Sequence, residues 1–201
     1  MNGFEQFKLW VKYSPITATL LALSVVVSLF SNLGSNFQLI HFLFISEYRQ
    51  GLSEILNGQV WRLFTPIVIH FGILHIAFNM VWLYQLGSAI EQHHSIKRMA
   101  VLVLIISVTS NLAQFLWSGP MFGGMSGVVY GLLGYVWIQG KFNPRAGIGL
   151  DRNIAIMMFV WFVVCWLGLV GNIANMAHTI GLVAGIIIGL LYSPQLLKRI
   201  N

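Results

Sequence analysis

A serine in a glycine-rich turn and a distant histidine both lie in strongly apolar sequence. The turn is the run G-M-S-G at 124–127, which contains Ser126, and the histidine is His178. Polar side chains at bilayer depth are costly, so an ionisable group there indicates a functional site. A serine and a histidine together are typical of a nucleophile and its general base. We therefore predict that Ser126 and His178 form a catalytic pair inside a membrane.

Ser126 is predicted to begin a helix, where free backbone N–H groups and the helix dipole favour developing negative charge. Gly124 and Gly127 flank it, and glycine lets another backbone approach closely; Gly127 also leaves room for a small substrate residue before the cut. Simpler interpretations exist for both members of the pair. Ser126 could be an ordinary N-cap serine, and His178 could be a histidine hydrogen-bonded between helices.

Small residues recur in both segments that carry the pair. They are Gly127, Gly131 and Gly134 after the serine, and Ala177, Gly181 and Gly185 around the histidine. Such stripes let membrane helices approach closely, so we expect the two helices to bring Ser126 and His178 within hydrogen-bond reach. Tyr130, four residues after Ser126, is predicted to stack on the imidazole and orient it.

A third segment carries His70, His75 and Asn79, the last two spaced to project from one face of a helix. Zinc ligation by His70, His75 and His178 is an alternative, but no acidic residue accompanies them and the H-E-x-x-H pattern is absent. Amide and imidazole N–H groups suit oxyanion stabilisation better, so we assign His75 and Asn79 that role and expect no metal or cofactor. Because the five acidic residues lie at termini, loops or span ends, we predict a Ser–His dyad with slow turnover.

The composition is that of a membrane protein, with 57% hydrophobic and 8% charged residues. Six nearly charge-free runs, at 14–33, 72–90, 99–117, 126–139, 153–170 and 176–193, approach the roughly 20 residues that cross a bilayer. The basic clusters all fall on one side if both termini are cytoplasmic, as the positive-inside rule requires. The net charge of +6 therefore reflects topology and lipid contact, and no nucleic-acid partner is expected.

We expect a single all-α membrane domain over residues 1–201. It would comprise a cytoplasmic segment at 1–13, a membrane-associated outer loop with short helices at 34–71, and a cytoplasmic tail at 194–201. The fourth run is too short to cross the bilayer, since about 14 residues make roughly 21 Å of helix. It should therefore begin mid-membrane, with Ser126 at the floor of a cavity open to the outside.

These motifs resemble the rhomboid intramembrane serine proteases in their compact six-helix bacterial form. The resemblance runs over about 61–190 and rests on order and spacing, from Trp61-Arg62 through the H-x-x-x-N pair and G-x-S-G to A-H-x-x-G. It implies that Ser126 is the nucleophile and His178 the base, with the N–H of Ser126 joining His75 and Asn79 in the oxyanion hole. It also implies a structural pair between Arg62 and Glu91. Pro66 stands where family members often carry a polar residue.

The predicted function is cleavage of transmembrane segments through an acyl-enzyme, and the resemblance implies a bacterial inner membrane as the location. A helical substrate hides its carbonyls, so we expect substrates with helix-destabilising residues. Three alternatives stay open: a catalytically silent relative that binds membrane clients, a transporter using the histidines as a polar pathway, and a structural membrane scaffold. The presence of both dyad residues favours the protease over the silent relative. The apolar cytoplasmic halves of the spans disfavour the transporter.

Overall fold

A computed structural model describes residues 2–47, 51–171 and 173–193, and all regular structure within those ranges is helical. This confirms the all-α fold class. The predicted tail at 194–201 lies outside the described residues. The described residues form ten α-helices: α1 (Gly3–Tyr13), α2 (Pro15–Phe30), α3 (Phe37–Ile40), α4 (Ser53–Leu56), α5 (Ile73–Trp82), α6 (Ser88–His93), α7 (Ile96–Ser118), α8 (Ser126–Phe142), α9 (Arg152–Trp166) and α10 (Asn175–Leu191).

The segment predicted at 1–13 folds as a separate helix, α1. The chain bends by 106° between α1 and α2. Asn2 accepts a hydrogen bond from the N–H of Glu5 and so caps α1, while Pro15 begins α2 at a position where its missing N–H costs nothing. The indole of Trp10 donates to Ser88 at 2.9 Å, which attaches α1 to α6.

Two described helical stretches are long and apolar enough to cross a membrane. One is Ile73–His93, in which a π-helical turn at Leu83–Gly87 joins α5 to α6; the other is α7, whose 23 residues extend about 35 Å. The bent pair of α1 and α2 is a third candidate, and α9 and α10 are apolar but shorter. These findings support an integral membrane protein.

Helix α8 lies at the centre of the molecule. Twelve of its 17 residues are buried, and it packs most extensively against α10 and α7. It runs to Phe142, three residues beyond the predicted end at 139, and is about 25 Å long. Because α9 has 15 residues and α10 has 17, length alone does not distinguish α8 from its neighbours. What distinguishes it is the irregular segment at 119–125 that leads into Ser126.

The outer helix α2 buries polar residues and exposes apolar ones, and α9 likewise leaves most of its apolar side chains exposed. The buried residues of α2 are Thr17, Ser24 and Ser28, whereas Leu29 and Phe30 are more than 70% exposed. Only Met158 and Cys165 are buried in α9. In water this pattern would be unstable, but next to lipid the exposed side chains lie in their preferred solvent. The outer surface therefore fits a bilayer.

The loop at 34–71 contains short helices, as predicted. Besides α3 and α4, it has 3₁₀ turns at His41–Leu43, Val60–Leu63 and Thr65–Val68. A buried carboxylate helps to fold it: Glu54 accepts hydrogen bonds from the N–H of Glu47 and from the hydroxyl of Ser53. Although burial raises the pKa of Glu54, these hydrogen bonds together lower it below its ordinary value.

The predicted pair between Arg62 and Glu91 is wrong. Arg62 is 1% exposed, and its guanidinium donates to Glu47 at 2.6 Å, within the same loop. Glu91 instead accepts from the N–H groups of Ile16 and Thr17, both at 2.9 Å, and from the Thr17 hydroxyl at 2.6 Å. A carboxylate suits that place because the first N–H groups of α2 have no partner in their own helix.

Candidate active site

Ser126 is the first residue of α8, and His178 lies in the first turn of α10. The hydroxyl Oγ of Ser126 is 2.8 Å from Nε2 of His178, a hydrogen bond between side chains 52 residues apart. A neutral His178 with its proton on Nδ1 presents a lone pair at Nε2, so it can accept the hydroxyl proton. The structure thus brings together the two residues that the sequence singled out, in the geometry that a nucleophile and its base require.

Glycines make this approach possible. A Cβ atom at Gly181 would fall on the carbonyl oxygen of Gly127, and one at Gly185 would fall on that of Gly131. The backbones of α8 and α10 are therefore in direct contact in the turns that follow Ser126 and His178. A Cβ at Gly127 would lie 2.9 Å from Oγ of Ser110, in the helix interface. Gly127 is thus required for helix packing, and a small substrate residue before the cut stays a prediction.

Tyr130 packs on the histidine, as expected. Its ring centroid is 4.8 Å from that of His178, with 34° between the ring planes. The Tyr130 hydroxyl donates to the carbonyl oxygen of Met158 at 3.2 Å, which attaches the ring to α9. Phe162 of α9 packs on Tyr130 edge to face. Two helices therefore hold the aromatic surface against which the imidazole lies.

The segment that precedes α5 holds the turn before Ser126 in place through two hydrogen bonds. The N–H of Gly124 donates to the carbonyl oxygen of Pro66 at 3.0 Å, and the N–H of Met125 donates to Nε2 of His70 at 3.4 Å. Nδ1 of His70 lies 3.2 Å from the carbonyl oxygen of Val68, so a proton on Nδ1 satisfies both contacts. His70 is 0% exposed and supports the turn without facing the cavity.

His75 points toward the serine. Its Nδ1 accepts from the N–H of Phe71 at 3.2 Å, so the neutral ring carries its proton on Nε2. Gly124 has φ of +124°, and a Cβ built on it would lie 2.7 Å from Nε2 of His75 and 3.7 Å from Oγ of Ser126. Because Gly124 has no side chain, the space next to Nε2 of His75 and Oγ of Ser126 stays open. A site near both nucleophile and donor is where a reacting oxygen could lie.

Asn79 lies one turn after His75, on the buried side of α5. Its amide Nδ2 donates to the carbonyl oxygen of His75 at 2.9 Å, and the residue is 5% exposed. The amide has a second N–H that this contact leaves available. His75 and Asn79 therefore present donors from one helix, and Ser126 adds the backbone N–H of a first helical residue, which has no acceptor within its own helix.

All five predicted side chains of the site line one cavity of about 1130 Å³; they are His75, Asn79, Ser126, Tyr130 and His178. Aromatic residues from α5 and α9 form part of its wall, and Phe78 stacks on Trp161 with 5.9 Å between centroids. No Asp, Glu, Lys or Arg is among the described residues that line it. The described residues also contain no cluster of three or more His, Cys, Asp or Glu suited to a metal ion.

Sequence reasoning missed the polar residues that hold α10 in place. Gln114 of α7 accepts from the N–H of Ala177 at 3.0 Å through Oε1 and donates to Ser118 at 2.7 Å through Nε2. Asn175 donates to the carbonyl oxygen of Cys165 at 3.1 Å. A signal was present for Gln114, because Ser107, Ser110 and Gln114 recur at helical spacing within a 23-residue apolar helix. Asn175 gave no such signal.

Comparisons with known proteins agree with this geometry. Residues 57–195 match the Rhomboid domain. The chain is 40% identical over 146 residues to the rhomboid protease GlpG of Salmonella paratyphi A, and equally so to those of Salmonella newport and Salmonella heidelberg. The matched region is 72% of this chain and 53% of each relative, so the chain spans about half the length of these curated relatives. The chain belongs to the rhomboid family.

Proposed function

We propose that this protein is an intramembrane serine endopeptidase that cleaves transmembrane segments with a Ser126–His178 dyad. One observation carries the proposal: Oγ of Ser126 and Nε2 of His178 lie 2.8 Å apart in a large cavity between apolar helices. Family membership supports the same reaction, since the relatives named above are rhomboid proteases.

The reaction proceeds through an acyl-enzyme. His178 takes the hydroxyl proton of Ser126 on Nε2, and Oγ attacks a substrate carbonyl carbon to form a tetrahedral intermediate. Nε2 of His75, the amide of Asn79 and the N–H of Ser126 donate to its oxyanion. His178 then protonates the leaving amine as the C–N bond breaks. Water, activated by the same histidine, hydrolyses the ester and restores Ser126.

The substrates are membrane proteins whose transmembrane segments contain helix-destabilising residues. In an intact helix each carbonyl accepts a hydrogen bond from its own chain, so the segment must unwind before Oγ can reach a carbonyl carbon. The wide, uncharged cavity supports an apolar substrate segment in an extended form. Substrates whose cleavage is unaffected when glycines near the cut are replaced by leucines would contradict this requirement.

The protein crosses a bacterial inner membrane six times, with both ends in the cytoplasm and α8 beginning at mid-membrane. The distribution of basic residues supports this topology. Lys97 and Arg98 lie in the first turn of α7, and Lys141 and Arg145 follow the buried part of α8. Alkaline phosphatase fused after residue 201 should be inactive in bacterial cells. Active phosphatase at that position would overturn the assignment.

The nucleophile can be tested without knowing the substrate. A fluorophosphonate should form a covalent adduct on the peptide that contains Ser126, because the probe reacts with activated serine hydroxyls. We expect Ser126→Ala to abolish the adduct and His178→Ala to slow its formation at least 100-fold. If wild-type protein in liposomes forms no adduct, the client-binding function becomes the better account.

A further inference from the structure

Two buried polar atoms near the dyad are without a hydrogen-bond partner among the described residues: Nδ1 of His178 and Oδ1 of Asn175. They belong to one helix, three residues apart, and residues at that spacing lie on the same helix face with Cβ atoms about 5–6 Å apart. Both residues also line the active-site cavity. Buried polar atoms are normally paired, so two unpaired atoms on one helix face require an explanation.

The donor and acceptor roles of the two atoms are complementary. His178 faces Ser126 through Nε2, so Nδ1 must carry the ring proton if the histidine is to act as a base. The orientation of the Asn175 amide is fixed, because its Nδ2 donates to the carbonyl oxygen of Cys165 at 3.1 Å. Oδ1 is therefore the end that remains, and it can only accept. A donor lacking an acceptor and an acceptor lacking a donor thus lie three residues apart on one face of α10.

We propose that Asn175 is a positioning residue for catalysis, whose Oδ1 accepts the Nδ1–H of His178, directly or through one water, as the histidine becomes an imidazolium. When Oγ–H of Ser126 passes its proton to Nε2, both ring nitrogens carry protons and the ring gains a positive charge. Oδ1 then stabilises that charge and holds the ring in place, in the manner of the third residue of a serine-protease triad. The leaving amine later takes the proton from Nε2, and Nδ1–H stays throughout. This inference rests on the proposed function.

No carboxylate belongs to the described residues that line the site, so a neutral acceptor must fill this role. Among the described residues, the titratable side chains that line the cavity with His178 are Tyr130, His75 and Cys165, on α8, α5 and α9 respectively. None of these supplies an anion near neutral pH. A neutral acceptor stabilises the imidazolium less than a carboxylate would, but it can be kept inside a membrane at far lower cost. The slow turnover predicted from the sequence is consistent with this arrangement.

Asn175→Asp and Asn175→Ala separate positioning from a structural role. Both variants lose the amide donor to Cys165, but only the aspartate keeps an acceptor for Nδ1–H. We expect Asn175→Ala to lower the fluorophosphonate labelling rate of Ser126 about three- to tenfold at neutral pH. Asn175→Asp should restore the rate, and the acid limb of its pH–rate profile should move up by about one pH unit because a carboxylate favours the imidazolium.

Thr179→Val is the matched control. Thr179 accepts from the indole of Trp166 at 3.1 Å and donates to the backbone carbonyl oxygen of Asn175 at 2.9 Å. This variant therefore also removes a polar contact between α9 and α10, while it leaves Oδ1 of Asn175 and Nδ1 of His178 unchanged. Its pH–rate profile should coincide with that of the wild type. Equal losses in Asn175→Asp and Asn175→Ala, with no shift of the acid limb, would overturn the proposal. If wild-type Ser126 does not react at all, the protease function itself fails.

Discussion

Arg62 shows at the residue scale how a buried charge can organise a loop. Its guanidinium donates to Gln59, to the carbonyl oxygens of His41 and Phe44, and to the carboxylate of Glu47. Hydrogen bonds from His41 and Arg62 lower the pKa of Glu47 below its ordinary value of 4.5. Because the folded-state pKa is the lower one, ionised Glu47 stabilises the loop above about pH 4.5. That contribution is lost as the pH falls further.

Glu47→Gln should therefore weaken the loop at neutral pH and remove part of its acid sensitivity. We expect a loss of about 1–2 kcal/mol of unfolding free energy, because a buried guanidinium keeps a weaker acceptor. Thermal unfolding in detergent at pH 7 and pH 4, followed by tryptophan fluorescence, measures both effects. Glu5→Gln is the control, since the pair of Glu5 with Lys8 is exposed and should contribute little. Equal stability of Glu47→Gln and wild type at pH 7 would contradict the account.

At the scale of secondary-structure elements, the contact between α8 and α10 sets the distance between Ser126 and His178. In this contact, each helix places glycines against carbonyl oxygens of the other helix. The dyad lies at the N-terminal end of the contact, in the first turns of both helices. Gln114 of α7 adds a hydrogen bond to the first turn of α10. The separation of Ser126 and His178 therefore follows from how closely two backbones approach, and only indirectly from the side chains themselves.

Gly181→Ala should separate the dyad without touching it. The added methyl group would overlap the carbonyl oxygen of Gly127, so the helices must move apart. Small outward shifts at a reacting centre cost about 100-fold in rate, and overpacking costs about 1–3 kcal/mol in stability. Labelling of Ser126 and thermal unfolding measure the two. Gly3→Ala is the control, because nothing lies within 4 Å of a Cβ there. A wild-type labelling rate in Gly181→Ala would show that the contact between α8 and α10 does not set the geometry of the dyad.

For the whole molecule, the sequence predicted what depends on residue type and local spacing. The G-x-S-G turn, the small-residue stripes and Tyr130 led to the geometry found around His178. What it could not predict depends on contacts formed only on folding. Arg62 pairs with Glu47, 15 residues away within a loop, and Glu91 caps α2, 75 residues earlier in the chain. Neither partnership leaves a periodic signal.

The same limit applies to length and to isolated polar residues. A count of apolar residues suggested an unusually short fourth helix, but α8 extends to Phe142 and α9 is shorter. Asn175 reads as an ordinary residue near a helix start, and its importance appears only when its orientation and that of His178 are seen together. The depth at which each helix lies in the membrane depends on the surrounding lipid as well as on the length of its apolar run.

The central claim is that Ser126 and His178 cleave peptide bonds inside a membrane, and the most direct test is proteolysis in liposomes. The substrate is a single transmembrane segment with glycines near its outer end, and product masses locate the cut. We predict cleavage within the segment by the wild type and by Gly3→Ala, and none above background by Ser126→Ala or His178→Ala when each remains folded. Cleavage by folded Ser126→Ala at the wild-type rate would contradict the account.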